Sequence, residues 1–338
     1  MIRSTVRSVG WTTALLVALG ILPLATLVRP CTSLLPFAWL TWFPVAHASG
    51  TETVPALQPG KGWRYGVFLA NVTAVDNLAL APDGALYATL ELARGEGRVV
   101  RIQNSRAEPV VTDLNRPDGL LLRGKYLYVA EEVAEGRVLK IELASGKTAT
   151  APTQTVGRAS EASRASVSAR GPRLDLIGEP QVLVTLHNPE GIDMLRNGNL
   201  VVAEDSVNGR LVQLHKNGTV ETIIAGLNRP EGIAVAKDGT IYIAETGTGR
   251  VLTYKNGVLN TLVDDLDEPD QVEIAPDGAL WIAEDAKPGR VLRFKDGILE
   301  TVMAGLLAPQ GMAFGPNGVV YVAEQGRHRI LLLQRAEN

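Results

Sequence analysis

Cysteine is almost absent from this chain, which has a single one, Cys31, in 338 residues. A fold held by intramolecular disulfides is therefore excluded, and burial of a core must supply the stability. The chain also lacks a long basic run, and its formal net charge is only −3. Both features argue against nucleic acid as a partner. No nucleophilic serine motif, phosphate-binding loop or dinucleotide fingerprint is present either.

One long apolar region is present, at the amino end. Arg3 and Arg7 precede the uncharged residues 9–28, and a second apolar stretch ends in Ala46-His47-Ala48. This pattern is typical of an export signal, with cleavage expected after Ala48. Because Arg29-Pro30 splits an apolar region that is long for a signal, an uncleaved membrane anchor is the alternative. Either way, the folded part is expected outside the cytoplasm, as a periplasmic or extracellular protein.

A unit of about forty residues repeats through the rest of the chain, after a linker predicted over residues 49–62. Two copies, beginning at Asn228 and Asp267, share a proline turn, an Asp-Gly turn, a strand ending in Ile-Ala-Glu and the sequence Gly-Arg-Val-Leu. Asp-Gly and Asn-Gly supply the positive φ angles that tight hairpins need. Four short strands in each unit predict a propeller blade.

Six such units can be aligned over residues 63–338. The sixth stops after its third strand, whereas residues 67–72 match the fourth-strand pattern of residues 222–227. We therefore predict an all-β, six-bladed β-propeller, closed by pairing of residues 65–72 with the strand around residues 329–333. A solenoid is the alternative, but it would carry capping repeats instead of a divided unit.

The second unit contains an insertion at residues 144–178, rich in Ala, Ser, Thr and Arg. It has too few large apolar residues to fold alone, and it has no Asp-Gly turn or aromatic strand that would make a seventh blade. We expect a disordered loop on the face opposite the start of the inner strands.

The residues that open the inner strands are the candidate site, because in a propeller these strands begin at one mouth of the central channel. They are Asp76, Asp118, Glu190, Glu231, Asp270 and Gln310. Two carboxylates about 5 Å apart repel by roughly 3 kcal/mol at an effective dielectric constant of 20. The carboxylates must therefore retain protons or hold a cation, and oxygen ligands favour Ca²⁺, with Mg²⁺ or Zn²⁺ as alternatives. In the other interpretation these side chains only cap strand ends.

A second polar series follows the second strands. Each of five units has a Glu at the strand end and an Arg five or six residues later, which predicts an ion pair within the blade. The pairs are Glu131 with Arg137, Glu204 with Arg210, Glu245 with Arg250, Glu284 with Arg290, and Glu324 with Arg329. The histidines His187 and His328 are expected on the face of the ring and could carry protons, although a surface position is the other interpretation.

The order of Pro-x-Gly-Ile-Ala, Asp-Gly and Ile-Tyr-Ile-Ala-Glu resembles the SMP-30/gluconolactonase superfamily of six-bladed hydrolases over nearly all of the chain after Tyr65. The sequence Gly-Ala-Leu-Trp at residues 278–281 also resembles streptogramin lyase, and the repeats are similar to non-catalytic NHL propellers. The first resemblance implies a catalytic divalent ion and its ligands. By matching positions these are Asp76, Glu190, Glu231 and Asp270. Asp76 is shorter than the family's Glu, and Glu190 and Glu231 stand where the family usually has Asn.

The leading hypothesis is an exported, metal-dependent hydrolase of a small-molecule lactone or related ester, with Asp270 as the catalytic base. Asp118, Gln310, His187 and His328 are the predicted substrate-binding residues, and we expect a monomer. One alternative is a non-catalytic, NHL-like propeller that binds a ligand or protein partner at the acidic mouth. The other is a lyase of the streptogramin type.

Overall fold

A computed structural model describes residues 54–143 and 179–336. The predicted export signal or anchor with Cys31, the first part of the predicted linker and the insertion at 144–178 lie outside the described residues. Among the described residues no helix is long and apolar enough to cross a membrane.

The described residues form six antiparallel sheets, each a blade of a β-propeller. The chain starts with β1 (Gln58–Pro59) and β2 (Trp63–Ala70). Blade 1 contains β3 (Val75–Leu80), β4 (Leu86–Leu90), β5 (Gly97–Gln103) and β6 (Arg106–Leu114). Blade 2 contains β7 (Pro117–Arg123), β8 (Tyr126–Glu131), β9 (Gly136–Glu142) and β10 (Gln181–Leu186). Blade 3 contains β11 (Pro189–Met194), β12 (Leu200–Glu204), β13 (Gly209–Leu214) and β14 (Val220–Leu227).

The remaining three blades repeat this pattern. Blade 4 contains β15 (Pro230–Val235), β16 (Ile241–Glu245), β17 (Arg250–Lys255) and β18 (Val258–Val263). Blade 5 contains β19 (Pro269–Ile274), β20 (Leu280–Glu284), β21 (Gly289–Lys295) and β22 (Ile298–Leu306). Blade 6 contains β23 (Pro309–Phe314), β24 (Val320–Glu324) and β25 (Arg329–Arg335). Three short 3₁₀ turns lie at Thr246–Thr248, Pro316–Gly318 and Gln325–Arg327.

The predicted closure is confirmed. Strand β2 pairs antiparallel with β25, in a register that runs from Trp63 opposite Arg335 to Ala70 opposite Arg329. The amino-terminal strand thus supplies the fourth strand of blade 6 and covers the edge that β25 would otherwise leave unpaired. The preceding segment, part of the predicted linker, also contacts the propeller: β1 pairs with β22 of blade 5.

Apolar side chains fill the space between neighbouring blades. The junction of blades 5 and 6 shows the arrangement: the rings of Trp63 and Trp281 meet edge to face with centroids 5.4 Å apart, and Phe314 lies 5.6 Å from Trp281. The amino-terminal strand therefore packs into the core as well as completing a sheet. Burial of one such aromatic side chain contributes about 1.5–3 kcal/mol.

Two sequence patterns account for the regularity of the blades. The predicted turns between first and second strands all contain a glycine with positive φ, namely Gly84, Gly124, Gly198, Gly239, Gly278 and Gly318. The predicted Glu–Arg ion pairs are also confirmed, each with a closest approach of 2.5 Å. The same glutamates accept the backbone N–H of the segment that enters the blade, as Glu245 does from Asn228 at 3.0 Å. Each pair therefore fixes a loop to its own blade.

Candidate functional site

The six residues predicted to open the inner strands lie together at one end of these strands. These six residues, which we call the inner ring, are all buried and line one cavity of about 300 Å³ at a mouth of the central channel. A glycine follows several inner-ring residues, and it is required because the backbone of the next inner strand packs closely against it. A Cβ on Gly119 would lie 2.0 Å from the carbonyl oxygen of Glu190, and one on Gly191 would lie 2.2 Å from that of Glu231. The Pro-x-Gly pattern thus brings neighbouring inner strands together.

A second set of side chains, the middle ring, was not predicted as part of the site. It consists of the residue that follows each second strand, at a constant position in the repeat. Its members are Glu91, Glu132, Asp205, Thr246, Asp285 and Gln325. In each case the backbone N–H donates to the carbonyl of the residue two positions before the inner-ring residue, as from Glu132 to Arg116 at 2.8 Å. This repeated bond turns the middle-ring side chains toward the mouth.

The carbonyls that accept these bonds belong to an outer ring, in which every residue has a positive φ. Its members are Ala74, Arg116, Asn188, Arg229, Glu268 and Ala308. A non-glycine residue in this conformation is uncommon and is maintained only when its surroundings determine it. Because six equivalent residues adopt this positive-φ conformation, the fold itself imposes it. The backbone is thereby fixed at the point where the chain enters each inner strand. Arg116, Arg229 and Glu268 contribute their side chains to the cavity.

The cavity is strongly acidic, since ten carboxyl groups and only two guanidinium groups line it. Burial, followed by the charges of neighbouring carboxylates, raises the pKa values of Asp76, Asp118, Glu190 and Asp270 well above their usual range. Burial also raises the pKa of Glu231 to about 8, although Thr246 and Arg229 oppose that shift. Retained protons or a bound cation must therefore neutralise some of these carboxylates.

On the side of blades 1 and 2, the protein supplies its own partners for the carboxylates. The Nδ2 atom of Asn77 donates to Asp76 at 3.2 Å and to Asp118 at 3.1 Å. The Nε2 atom of Gln325 lies 3.0 Å from both Asp76 and Glu91. Arg116 binds Glu91 at 2.6 Å and also pairs with Glu132. Asp76, Glu91 and Asp118 therefore form one group in which each carboxylate already has at least one donor.

On the side of blades 3 to 5, Glu190, Glu231 and Asp270 form a different group, with one oxygen from each lying within 4.8 Å of the others. Arg229 donates to Glu231 at 2.5 Å, and the Thr246 hydroxyl also contacts that carboxylate. By contrast, Asp270 Oδ1 is buried and has no hydrogen-bond partner among the described residues. Three of the four predicted metal ligands are thus together, while Asp76 belongs to the neighbouring group.

The predicted histidines lie elsewhere. Both are exposed, and neither lines the acidic cavity. The Nδ1 atom of His187 lies 3.1 Å from the carbonyl oxygen of Ala134, and the carbonyl of His328 accepts the N–H of Val72 at 2.7 Å. The other predicted substrate-binding residues, Asp118 and Gln310, do line the cavity.

Comparisons with known proteins agree with this architecture. Residues 227–254 match the family model of the NHL repeat. A gluconolactonase from Xanthomonas campestris superposes with a TM-score of 0.61 at 14% identity, covering 82% of this chain and 91% of that one. A luciferin-regenerating enzyme gives a TM-score of 0.59 at 15% identity, covering 81% and 95%. A streptogramin B lyase gives a TM-score of 0.53 at 16% identity, covering 82% of this chain and 99% of that one.

The chain has the fold of the SMP-30/gluconolactonase-like six-bladed propellers. None of the curated proteins matches it significantly in sequence. At 14–16% identity, the likeness to these solved structures extends to the fold and not to the chemistry.

Proposed function

We propose that this protein is a metal-dependent hydrolase that opens a small-molecule lactone or a related ester at the acidic mouth. One observation carries the proposal: Asp270 Oδ1 is buried without a hydrogen bond among the described residues, and one carboxylate oxygen of Asp270 lies within 4.8 Å of an oxygen from each of Glu190 and Glu231. A buried anionic oxygen that has no donor costs several kcal/mol, and a bound cation removes that cost.

The donor set fits a hard divalent cation. Glu190, Glu231 and Asp270 offer only oxygen, which is the ligand atom that Ca²⁺ and Mg²⁺ prefer, and Ca²⁺ accepts the irregular geometry of such clusters more readily. No hydrogen bond from a described residue reaches the Glu190 carboxylate, so it too is free to act as a ligand. Zn²⁺ is less suited, because no histidine or cysteine reaches the cavity within the described part of the chain.

Such an ion, when bound, supplies Lewis acidity that polarises the carbonyl of the substrate. The side chains would do the rest. Asp270 is our choice of general base: its carboxylate takes a proton from the attacking water as the water oxygen bonds to the carbonyl carbon. When the C–O bond of the lactone ring breaks, the departing oxygen takes that proton from Asp270 and becomes the hydroxyl of the product, which restores the Asp270 carboxylate. Arg229 keeps Glu231 in place through the 2.5 Å bond.

Export is part of the proposal and is supported by the basic and apolar leader that ends at Ala48. A protein outside the cytoplasm meets calcium at far higher concentrations than one inside it, so a site of modest affinity would be filled. A hydrolase in that position would act on substrates taken up from, or released into, the surroundings.

The test combines metal analysis with a substrate panel. Purified protein would be analysed for bound metal, then assayed for release of acid from aldonolactones and simple γ- and δ-lactones, before and after chelation and again after Ca²⁺ is restored. We expect activity that chelation removes and Ca²⁺ restores. Hydrolysis that chelation leaves unchanged would refute the metal-dependent mechanism.

A non-catalytic, ligand-binding propeller is the second candidate, favoured by the NHL repeat match at residues 227–254. It predicts that Ca²⁺ binds while no lactone or ester in the panel is turned over. A streptogramin-type lyase, the third candidate, would cleave its substrate without consuming water. Incorporation of ¹⁸O from labelled water into the product separates hydrolysis from that elimination.

A further inference from the structure

A second cavity, of about 660 Å³, lies at the opposite mouth of the channel, and all six inner strands contribute to it. It shares no lining residue with the acidic cavity. Most of its lining residues are apolar, although polar atoms form much of the exposed wall, and several of the side chains are only partly buried. Among these are Leu80, Leu122, Val235, Tyr242, Ile274 and Phe314. Cavities of roughly 300–1,000 Å³ with such walls are the usual size of small-molecule sites.

Two carboxyl groups on the inner strands interrupt the apolar residues, and Asp238 adds a third at the rim. The two on the inner strands occupy the position three residues after the inner-ring residue, where the other four blades have Ala or Leu. In blade 3 this residue is Asp193, which pairs with Arg123 at 2.6 Å and accepts the N–H groups of Met194 and Val235, each at 2.7 Å. Both carboxylate oxygens of Asp193 therefore accept hydrogen bonds.

In blade 5 the equivalent residue is Glu273, and it lacks such donors. No side chain among the described residues hydrogen-bonds to Glu273. Its hydrogen-bond donor there is the backbone N–H of Ile274. Arg123, the cation of the inner wall, is already bound to Asp193. At the rim, Asp238 pairs with Lys255, and Lys237 also lines the cavity. A carboxyl group in an apolar wall without a cationic partner is costly, so a ligand that supplies one would be selected.

We propose that this far mouth binds a compact apolar molecule carrying one protonated amine, whose ammonium group pairs with Glu273 while its apolar body contacts the surrounding Leu, Ile, Val and Phe side chains. The proposal is independent of the lactonase hypothesis, because it concerns the opposite end of the channel. Neutral molecules of the same shape lack the charge-assisted hydrogen bond, and anions meet Asp193 and Glu273 together.

The test uses a matched pair of probes, 4-fluorobenzylamine and 4-fluorobenzyl alcohol, titrated into the full protein and followed by ¹⁹F NMR. Saturating Ca²⁺ is present, because the acidic mouth also attracts cations. We expect the amine to bind several-fold more tightly than the alcohol at pH 7, and more tightly still at higher pH, because a charge-assisted hydrogen bond outweighs the expulsion of the proton from Glu273. Equal affinity of the two probes would overturn the proposal.

Two variants locate the binding. Glu273→Gln should remove the preference for the amine, whereas Asp270→Asn, at the acidic mouth, should retain it. The opposite result would assign the amine to the acidic mouth and refute the proposal. If Glu273→Gln does not fold, as judged by circular dichroism, the wild-type protein and Asp270→Asn still decide the question. The preference must be present in the first and survive in the second.

Proton release provides a further readout. Burial, and then the charge of Asp193, raise the pKa of Glu273 to about 8, against the opposing effects of Arg123 and the Ile274 N–H. At pH 7 the carboxyl therefore carries a proton that an arriving ammonium group would expel. The heat of amine binding should then depend on the ionisation enthalpy of the buffer. A heat that is the same in all buffers would contradict the pairing with Glu273.

Discussion

The two mouths of the central channel are made from opposite ends of the same six inner strands. At the acidic mouth, ten carboxyl groups from three rings surround the strand starts. At the far mouth, most of the lining residues are apolar, and Glu273 is the lining carboxyl group that pairs with no described side chain. The acidic mouth receives the connections between blades and the loops after the second strands, whereas in the described part of the chain the hairpins between first and second strands surround the far mouth. Polar groups accumulate where several loops converge.

The two kinds of site are separated along the length of the inner strands. The inner ring and the far-mouth position are three residues apart on one strand, as Asp270 and Glu273 are on β19. Each strand advances about 3.3 Å per residue, so the two sites are roughly 10 Å apart. A substitution at one mouth should therefore leave the other unchanged, and the following predictions test that separation.

The largest effect is expected at the acidic mouth. Asp270→Asn keeps the size of the side chain and one ligand oxygen but removes the proposed base. Turnover of the lactone should fall by roughly 10²–10⁴-fold, the usual range for loss of general base catalysis. Steady-state assays at saturating Ca²⁺ would measure it. If Asp270→Asn keeps full activity, the proposed mechanism is wrong.

Asp76→Asn is the matched control, because it makes the same chemical change in the same ring. Asp76 is bound by the amides of Asn77 and Gln325 and does not belong to the group of Asp270. Its replacement should therefore lower turnover by less than about 10-fold. Equal losses in the two variants would instead favour the ligand set implied by the family resemblance, in which Asp76 holds the ion.

The second effect is on stability. A ligand that binds only the folded state at 100 times its Kd adds about 2.7 kcal/mol. Saturating Ca²⁺ should therefore raise Tm by about 5 °C in a domain of this size. Glu190→Gln should abolish this increase because it removes a charged ligand, and Glu273→Gln should leave it intact. Differential scanning calorimetry with and without Ca²⁺ measures both. An undiminished increase in Glu190→Gln would exclude that residue as a ligand.

The third effect concerns pH and the far mouth. The pKa of Glu273 is about 8 in the folded protein, above its ordinary value of 4.5, mainly because of burial. Its contribution to stability is therefore complete below pH 4.5 and is lost as the pH rises through 8. Glu273→Gln removes this loss, so from pH 5 to pH 9 the variant should gain roughly 4 kcal/mol relative to wild type. Urea denaturation at both pH values measures the difference, and parallel pH profiles would show that Glu273 does not titrate in this range.

Much of this organisation could be predicted from the sequence, because the signals are local and repeated. The Asp-Gly turns, the proline at the start of the inner strands and the divided sixth unit indicated the blades and their closure. The middle ring was missed because Glu132 and its equivalents follow a strand-ending glutamate and resemble ordinary loop residues. Only the hydrogen bond to the preceding connection brings them to the mouth. The separation of Asp76 from Asp270 depends on Gln325, which comes from another blade, and no spacing in the sequence shows that contact.

The smallest effect is expected for the ion pairs that support the acidic mouth from outside. Glu245 is buried and does not line either cavity. It accepts hydrogen bonds from Arg250 at 2.5 Å, from the Asn228 N–H at 3.0 Å and from the Thr248 hydroxyl. These bonds outweigh burial and lower its pKa, so the carboxylate is charged at neutral pH.

Glu245→Gln replaces the carboxylate that accepts these hydrogen bonds with a neutral amide. The loss is limited because Arg250 is partly exposed and solvent screens its charge. The free energy of unfolding should fall by about 1–2 kcal/mol at neutral pH. The kcat of the hydrolase should stay within about twofold of wild type, since no transition-state contact is removed. Urea denaturation and steady-state kinetics on the same preparation test both. A loss of activity as large as that of Asp270→Asn, in a variant that remains folded, would show that the Glu–Arg series takes part in the chemistry.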